Sequence, residues 1–262
     1  MRRVAIVSGA GRGIGAAIAK ALGREGYHVV VNYMKNDAAA NAVVEEIRSA
    51  GGHADARQAD VCDPVAVGEL VGSVHEAHGR IDLLVCNANT VDPPFEDFGS
   101  LPWERFEEKY VGELAGSYHL TQRALAVMEK QRSGRIVYIS STAADLVGGS
   151  IAHATAKAAL NVFGRNVAGF AARYGVTVNV IAAGVVDTEA TAVAVNEESL
   201  RYFKEHTTFS RLVTPEELAD AVRMVANDAF GAATGQIIRV DGGLDVLGQQ
   251  LSISGRWNLP DA

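Results

Sequence analysis

Val4-Ala5-Ile6-Val7-Ser8-Gly9-Ala10-Gly11-Arg12-Gly13-Ile14-Gly15 runs from an apolar, β-branched segment through a glycine-rich turn into a helical pattern, Gly13 to Glu25. An apolar run without alternation fits a strand covered on both faces. The glycines let the backbone turn tightly and come close to an anion without Cβ clashes. The helix that follows offers free N–H groups and the positive end of its dipole to that anion. A strand, a glycine turn and a helix in this order form the setting in which such a turn holds the pyrophosphate of a dinucleotide.

Working outward, the same alternation repeats. Further strand-like runs are His28 to Asn32, Ala54 to Gln58, Ile81 to Cys86, Arg135 to Ser140, Val176 to Ile181 and Gln236 to Val240. Between them lie helical patterns at Asp37 to Ala50, Pro64 to His78, Pro102 to Lys130, Ala152 to Tyr174 and Pro215 to Asn227, the last behind Thr214 as N-cap. This predicts an α/β chain of Rossmann type: a doubly wound parallel sheet of about seven strands with helices on both faces. No repeat or low-complexity linker interrupts it, so residues 1–262 are read as a single dinucleotide-binding domain. Two segments break the rhythm. Residues 188–213 read as a substrate flap, first rich in Ala, Val and Thr and then carrying Tyr202, Phe203 and Phe209. Residues 248–262 read as a polar C-terminal tail.

A formal net charge of -7 argues against nucleic acid as a partner, because phosphate backbones demand clustered Lys and Arg. No apolar run reaches the ~20 residues of a membrane span. Met1 passes almost directly into a strand, so no signal peptide is expected. The two cysteines, Cys62 and Cys86, lack metal spacing and read as reduced thiols of a cytoplasmic protein, and no metal is expected. The run Glu104-Arg105 with Glu107-Glu108-Lys109 reads as a solvated helix face, with Trp103 and Phe106 as core or interface residues. Tyr138, two residues before Ser140 on one strand, reads as core.

The choice of dinucleotide turns on the end of the second strand. An NAD-selective site usually has a carboxylate there for the ribose 2′-hydroxyl. Here the strand ends Val31-Asn32-Tyr33, while Arg12 and Lys35 offer cations to a 2′-phosphate. NADP(H) is therefore favoured over NAD(H).

Several motifs share order and spacing with one family. They are the glycine turn (Gly9, Gly11, Arg12, Gly13, Ile14, Gly15), Asp60-Val61, Cys86-Asn87-Ala88-Asn89, Ile139-Ser140-Ser141, Lys157-Ala158-Ala159-Leu160, Asn179 through Gly184 followed by Val186 and Thr188, and Val240-Asp241-Gly242-Gly243. Over about residues 2–247 the sequence resembles the short-chain dehydrogenase/reductase family, particularly its ketoacyl-reductase-like members. The resemblance implies that Asp60 and Val61 contact the adenine and that Asn32, Asn87 and Ala88 line the cofactor site. It further implies that Gly184, Val186 and Thr188 lie over the nicotinamide and that Lys157 holds its ribose. It also implies a small-molecule substrate and a homotetramer, for which the small residues from Ala156 to Ala172 leave room.

The departures fall on chemistry. The family's active-site Tyr lies four residues before the Lys, and that position holds His153. The Ser thirteen residues earlier is Ser140. The family's relay Asn, counted back from Gly116 and Thr121-Gln122, falls on Glu113. Asn89 stands for a Gly and Ala183 for a Pro. Ser140, His153, Lys157 and Glu113 are thus the candidate catalytic residues. Lysine and cofactor charge lower a Tyr pKa into a usable range. An imidazole needs no such help, and a nearby Lys157 would push it lower while Glu113 would oppose that. A Glu-Lys-His relay in a ketone reductase is the leading reading, with a substrate phenol as one proton source. Two others remain: a catalyst of proton transfer, elimination or cyclisation that keeps NADP structurally, and a dinucleotide binder without catalysis.

Overall fold

The computed structural model of the chain describes residues 2–146, 149–244 and 246. Its strands are β1 (Val4–Val7), β2 (His28–Tyr33), β3 (His53–Gln58), β4 (Leu83–Cys86), β5 (Gly134–Ser141), β6 (Val176–Ala183) and β7 (Ile237–Val240). They form one seven-stranded sheet in the order β3-β2-β1-β4-β5-β6-β7, with every described pair parallel. The central strands β1 and β4 are buried throughout, which is why their sequences are continuously apolar rather than alternating.

Helices cover both faces. The helices α1 (Gly13–Arg24), α2 (Asp37–Ser49) and α8 (Pro215–Ala226) close one core, in which Ile18, Leu22, Val44 and Leu218 meet Val7, Val29 and Ile181. On the other face α3 (Pro64–His78), α4 (Trp103–Gln131) and α5 (Ile151–Ala171) pack Val67, Leu120 and Leu160 against Ile6, Leu84 and Tyr138. Tyr138 is core, as expected, and its hydroxyl shares a hydrogen bond of 2.7 Å with Thr121 Oγ1.

Local sequence sets the helix ends. Asp63 Oδ1 accepts from Val65 N, Pro64 sits in the first turn and Gly79 at φ 73 closes α3. Thr214 and Glu217 form a capping box at the start of α8, in agreement with the N-cap read from sequence. Residues 188–213 hold two short helices, α6 (Glu189–Ala194) and α7 (Glu197–Glu205), and rejoin the body where Val213 bridges Val186. The 248–262 tail lies outside the described residues.

One reading of α4 needs correction. Lys109 is not on a solvated face: it is 0% exposed, because the helix turns it inward one turn before Glu113. Of the two alternatives read for Trp103, core and interface, its 63% exposure leaves the interface, and it stacks on Phe106 at 5.5 Å.

The chain winds from β1 outward to β3, then crosses to β4 and continues the other way. The switch point lies between β1 and β4. In open α/β sheets, ligands bind outside the carboxyl ends of the strands at such a point.

Candidate active site

A cleft of about 780 Å³ opens there, lined by the glycine turn, the ends of β2 and β3, the segment after β4 and the start of α6. The turn that forms it is fastened by Ser8. The Ser8 hydroxyl accepts from Asn87 N at 2.9 Å and Ala88 N at 3.1 Å, and donates to Val85 O at 3.3 Å. Asn87 Nδ2 donates to Ser8 O at 3.0 Å and to Gly9 O at 3.3 Å. The turns after β1 and β4 are thereby locked together.

Glycine is required at two positions of this turn. Gly9 has φ 62, and a Cβ there would lie 2.8 Å from Ala88 Cα. A Cβ on Gly15 would lie 2.4 Å from Gly9 O and 2.5 Å from Asn87 Nδ2. The result is a bare backbone cradle at the N-terminus of α1, and no side chain caps that helix end. Such a cradle fits a pyrophosphate.

Of the residues expected to bind cofactor, Gly9, Arg12, Gly13, Ile14, Gly15, Asn32, Asp60, Val61, Asn87, Ala88 and Thr188 line the cleft. Arg12 and Lys35 line it too, both exposed and, among the described residues, in no ion pair. Asn32 is buried, and its amide donates to Ala59 O at 3.1 Å. It helps join β2 to the turn after β3. Asp60 is held locally, its carboxylate accepting from Cys62 N at 2.9 Å.

Four expected contacts do not line the cleft. Gly11 faces α2, where a Cβ would meet Ala40 N at 3.5 Å. Gly184 packs on Asp241, Val186 is buried in the α8 core, and the Lys157 side chain turns inward. Thr188 does line it, and its hydroxyl also caps α6 by accepting from Thr191 N at 3.2 Å.

Beneath this cleft lies a buried ionic cluster. Lys157 Nζ donates to Glu113 Oε1 at 2.5 Å and to Ile139 O at 2.9 Å. Lys109 Nζ donates to Glu113 Oε2 at 2.9 Å, to Asn89 Oδ1 at 2.6 Å and to Val91 O at 2.9 Å. Glu113 is only 4% exposed. Burial alone would raise its pKa. The two ammonium groups outweigh that and hold it down, to about 2. Both carboxylate oxygens are occupied, so Glu113 is a fixed anion. Burial pushes Lys109 below its ordinary value, which the same carboxylate only partly restores.

Sequence reasoning anticipated Glu113 and Lys157 but missed Lys109. The signal was present: Lys109, Glu113, Gly116, Ser117, Leu120 and Thr121 recur at helical spacing, and all are buried on one face.

His153 stands in the first turn of α5, where its backbone N–H donates to the Ser150 hydroxyl at 3.3 Å. Its Nδ1 is buried without a hydrogen-bond partner. Burial, then the charges of Lys157 and Lys109, push the imidazole down to about 3, with Glu113 opposing. The ring is therefore neutral at physiological pH. It feels the cluster electrostatically, yet no described hydrogen bond ties its side chain to Glu113 or Lys157. Ser140 is buried at the end of β5, its hydroxyl donating to Lys157 O at 3.3 Å. That bond sets the strand end against the helix one turn beyond His153.

Cys62 and Cys86 are both free. Burial pushes the Cys86 thiol up to about 12. Among the described residues, no helix is long and apolar enough to cross a membrane.

Comparison with known proteins agrees with this geometry. The family model described as enoyl-(acyl carrier protein) reductase matches residues 9–245. A 3-oxoacyl-[acyl-carrier-protein] reductase of Synechocystis sp. is 38% identical over 245 residues, covering 92% of this chain and 96% of that protein. The versicolorin reductase of Emericella nidulans is 34% identical over 258 residues, covering 92% of this chain and 95% of its own. Among solved structures, a 7α-hydroxysteroid dehydrogenase complexed with NADH and 7-oxo-glycochenodeoxycholic acid superimposes with a TM-score of 0.87 at 33% identity, over 92% of this chain and 93% of that one. A parallel sheet in this strand order, a glycine cradle at its switch point and relatives that align over nearly their whole length lead to one assignment: the chain belongs to the short-chain dehydrogenase/reductase family of oxidoreductases.

Proposed function

We propose that the chain is an NADP(H)-dependent oxidoreductase that reduces a ketone on an apolar or aromatic, polyketide-like substrate. In this reading His153 takes the place of the family's active-site Tyr and Glu113 that of its relay Asn. The observation that carries it is the cleft at the switch point: a bare backbone cradle with Arg12 and Lys35 beside it, in no ion pair among the described residues, and Asn32, not a carboxylate, near the end of β2. One relative is complexed with NADH and another, an L-rhamnose 1-dehydrogenase of Thermoplasma acidophilum, is named for NADP(+), so we take the residues at this end of the cleft to decide.

Bound there, the nicotinamide supplies or accepts hydride. The chain's own residues supply the rest. The neutral His153 ring donates a hydrogen bond to the substrate carbonyl and to the oxyanion developing on it, and the Ser140 hydroxyl joins it by turning away from Lys157 O. Lys157, fixed by Glu113 and Ile139 O, spends two of its three N–H donors beneath the cleft and would reach the ribose only by turning its third toward it. A neutral imidazole is a weak acid, so the proton that completes reduction comes from a substrate phenol or from water. Glu113, ionised and held at both oxygens, is not a general base, which counts against proton-transfer chemistry centred on it.

Residues 188–213 serve as the substrate flap, supported by the exposed Tyr202 and Phe209. The same reading makes the chain a cytoplasmic homotetramer, supported by the exposed Val162 and Phe170 on α5 among its small residues.

A single-turnover experiment tests the proposal. Protein, NADPH and an aromatic ketone are mixed, and loss of reduced-nicotinamide absorbance is compared with alcohol formed. Equal amounts are expected. Product formed while NADPH stays intact would overturn the redox reading. His153→Tyr is expected to raise the rate by restoring an acid that the Lys can activate.

A further inference from the structure

At the end of the sheet opposite the cleft, three separate elements bring together side chains that the proposed reaction does not use. They are His28 at the start of β2, Asp55 on β3 and His78 at the last residue of α3. One ligand atom from each lies within 4.8 Å of the others. The His28 and His78 rings stand 4.2 Å apart, tilted by 43°. His28 Nε2 is bonded to Asp55 Oδ1, and Arg57 Nε donates to the other carboxylate oxygen, Oδ2, at 2.6 Å. All three ligand residues are half-buried. No sequence spacing announced the group, because positions 28, 55 and 78 meet only after the β2–β3 pair and α3 have packed.

We propose that His28, Asp55 and His78 bind a divalent transition-metal ion such as Zn²⁺. Two imidazoles and one carboxylate are a donor set suited to these ions, leaving further coordination positions for water. Around Zn²⁺ at its usual bond lengths, tetrahedral ligand atoms stand about 3.4 Å apart, so the hydrogen-bonded His28–Asp55 pair needs to open, and any ligand atom at the 4.8 Å limit to close, by about 1 Å or a little more. Metal entry replaces the His28–Asp55 hydrogen bond: the Nε2 proton passes through solvent to Nδ1 as the neutral ring takes its other tautomer, and the Asp55–Arg57 bond stays in place as an outer contact that orients the carboxylate. The ion would staple β3, the edge strand, to β2 and α3. Those two strands carry Asn32 and Asp60 at and just beyond their far ends, so the site fastens from behind the pair that walls the cleft.

Four of the seven histidines lie on these three elements: His28, His53, His75 and His78. The test must therefore separate this group from incidental binding. Full-length protein stripped with a chelator is titrated calorimetrically with Zn²⁺, and separately with Co²⁺ while the visible d–d absorption is followed. One saturable site per chain is expected. His78→Gln and Asp55→Asn should each weaken it by at least the ~10–100-fold typical of losing an outer-shell partner. His206→Gln, just past the end of α7, should leave it unchanged. Circular dichroism and NADPH binding report whether each variant is folded. His78 ends a helix and makes no described side-chain hydrogen bond, so its variant is the conservative one. Absence of a saturable site, or undiminished affinity in the folded His78→Gln protein, overturns the proposal.

Discussion

Glu113 is the residue on which most of the buried charge depends. With its two lysine partners it forms a net-positive triad inside α4 and α5. Glu113→Gln would leave two ammonium groups buried without a counter-charge. We expect it to cost about 3–5 kcal/mol in urea unfolding at neutral pH. The two shifted groups also make stability fall on acidification. Glu113 titrates at about 2 in the folded chain against an ordinary 4.5, so its contribution is complete above 4.5 and is lost as pH drops toward 2. His153 titrates at about 3 against 6.5, so between those values the unfolded chain binds the proton that the folded chain refuses, and stability again falls with falling pH. Unfolding midpoints of His153→Phe should accordingly be flatter from pH 6.5 to 5 than those of the parent. A variant that keeps the parent's slope there would show that another group is responsible. At the cleft, Arg12→Ala should weaken NADPH by roughly 10–100-fold in a fluorescence titration, the worth of a charge-assisted hydrogen bond, and NADH far less.

Among the elements, α1 and its turn are the least tolerant. Gly15→Ala would drive a methyl group against Gly9 O and Asn87 Nδ2. Overpacking of this kind costs about 1–3 kcal/mol. Because the strain falls on the cradle itself, NADPH affinity should drop along with the melting temperature. Intact affinity in that variant would show that the cradle can shift. The elements also show what was readable in advance. Unbroken apolar runs such as Val4–Val7 and Leu83–Cys86 announce buried parallel strands, and Pro64 and Thr214 announce helix starts. Charged patterns mislead where a helix is both amphipathic and functional. Glu107-Glu108-Lys109 has the composition of a wet surface, yet the third residue points inward, because its partner Glu113 is already there. The cleft was legible where one local pattern carried it: the glycine turn that lines it. Side-chain direction was not legible. Lys157 turns to Glu113 and Ile139 O, and Val186 turns into the core, because packing between elements decides both.

For the whole molecule, two layers of helix on one sheet leave the ligand site at a seam between the halves of the winding. A ligand bound there ties β1, β2, β3 and β4 together through the turns that follow them. NADPH at 100 times its Kd should add about 2.7 kcal/mol to the folded state. For a chain of this size that is a rise of roughly 5–10 °C in melting temperature. NADH at the same concentration should produce a smaller shift, and equal shifts would remove the case for NADP selectivity.

The sheet's outer strand β3 reads His53-Ala54-Asp55-Ala56-Arg57-Gln58, with Asp55 and Arg57 paired on one face and both ends of the strand exposed. An open strand edge invites another polypeptide to add on by backbone pairing. Here a newcomer would have to strip water from an ion pair and lie against alanines that give it little to bury. The polar composition of this strand works against growth of the sheet on that side, so concentrated solutions of the protein are expected to resist fibrous aggregation through β3.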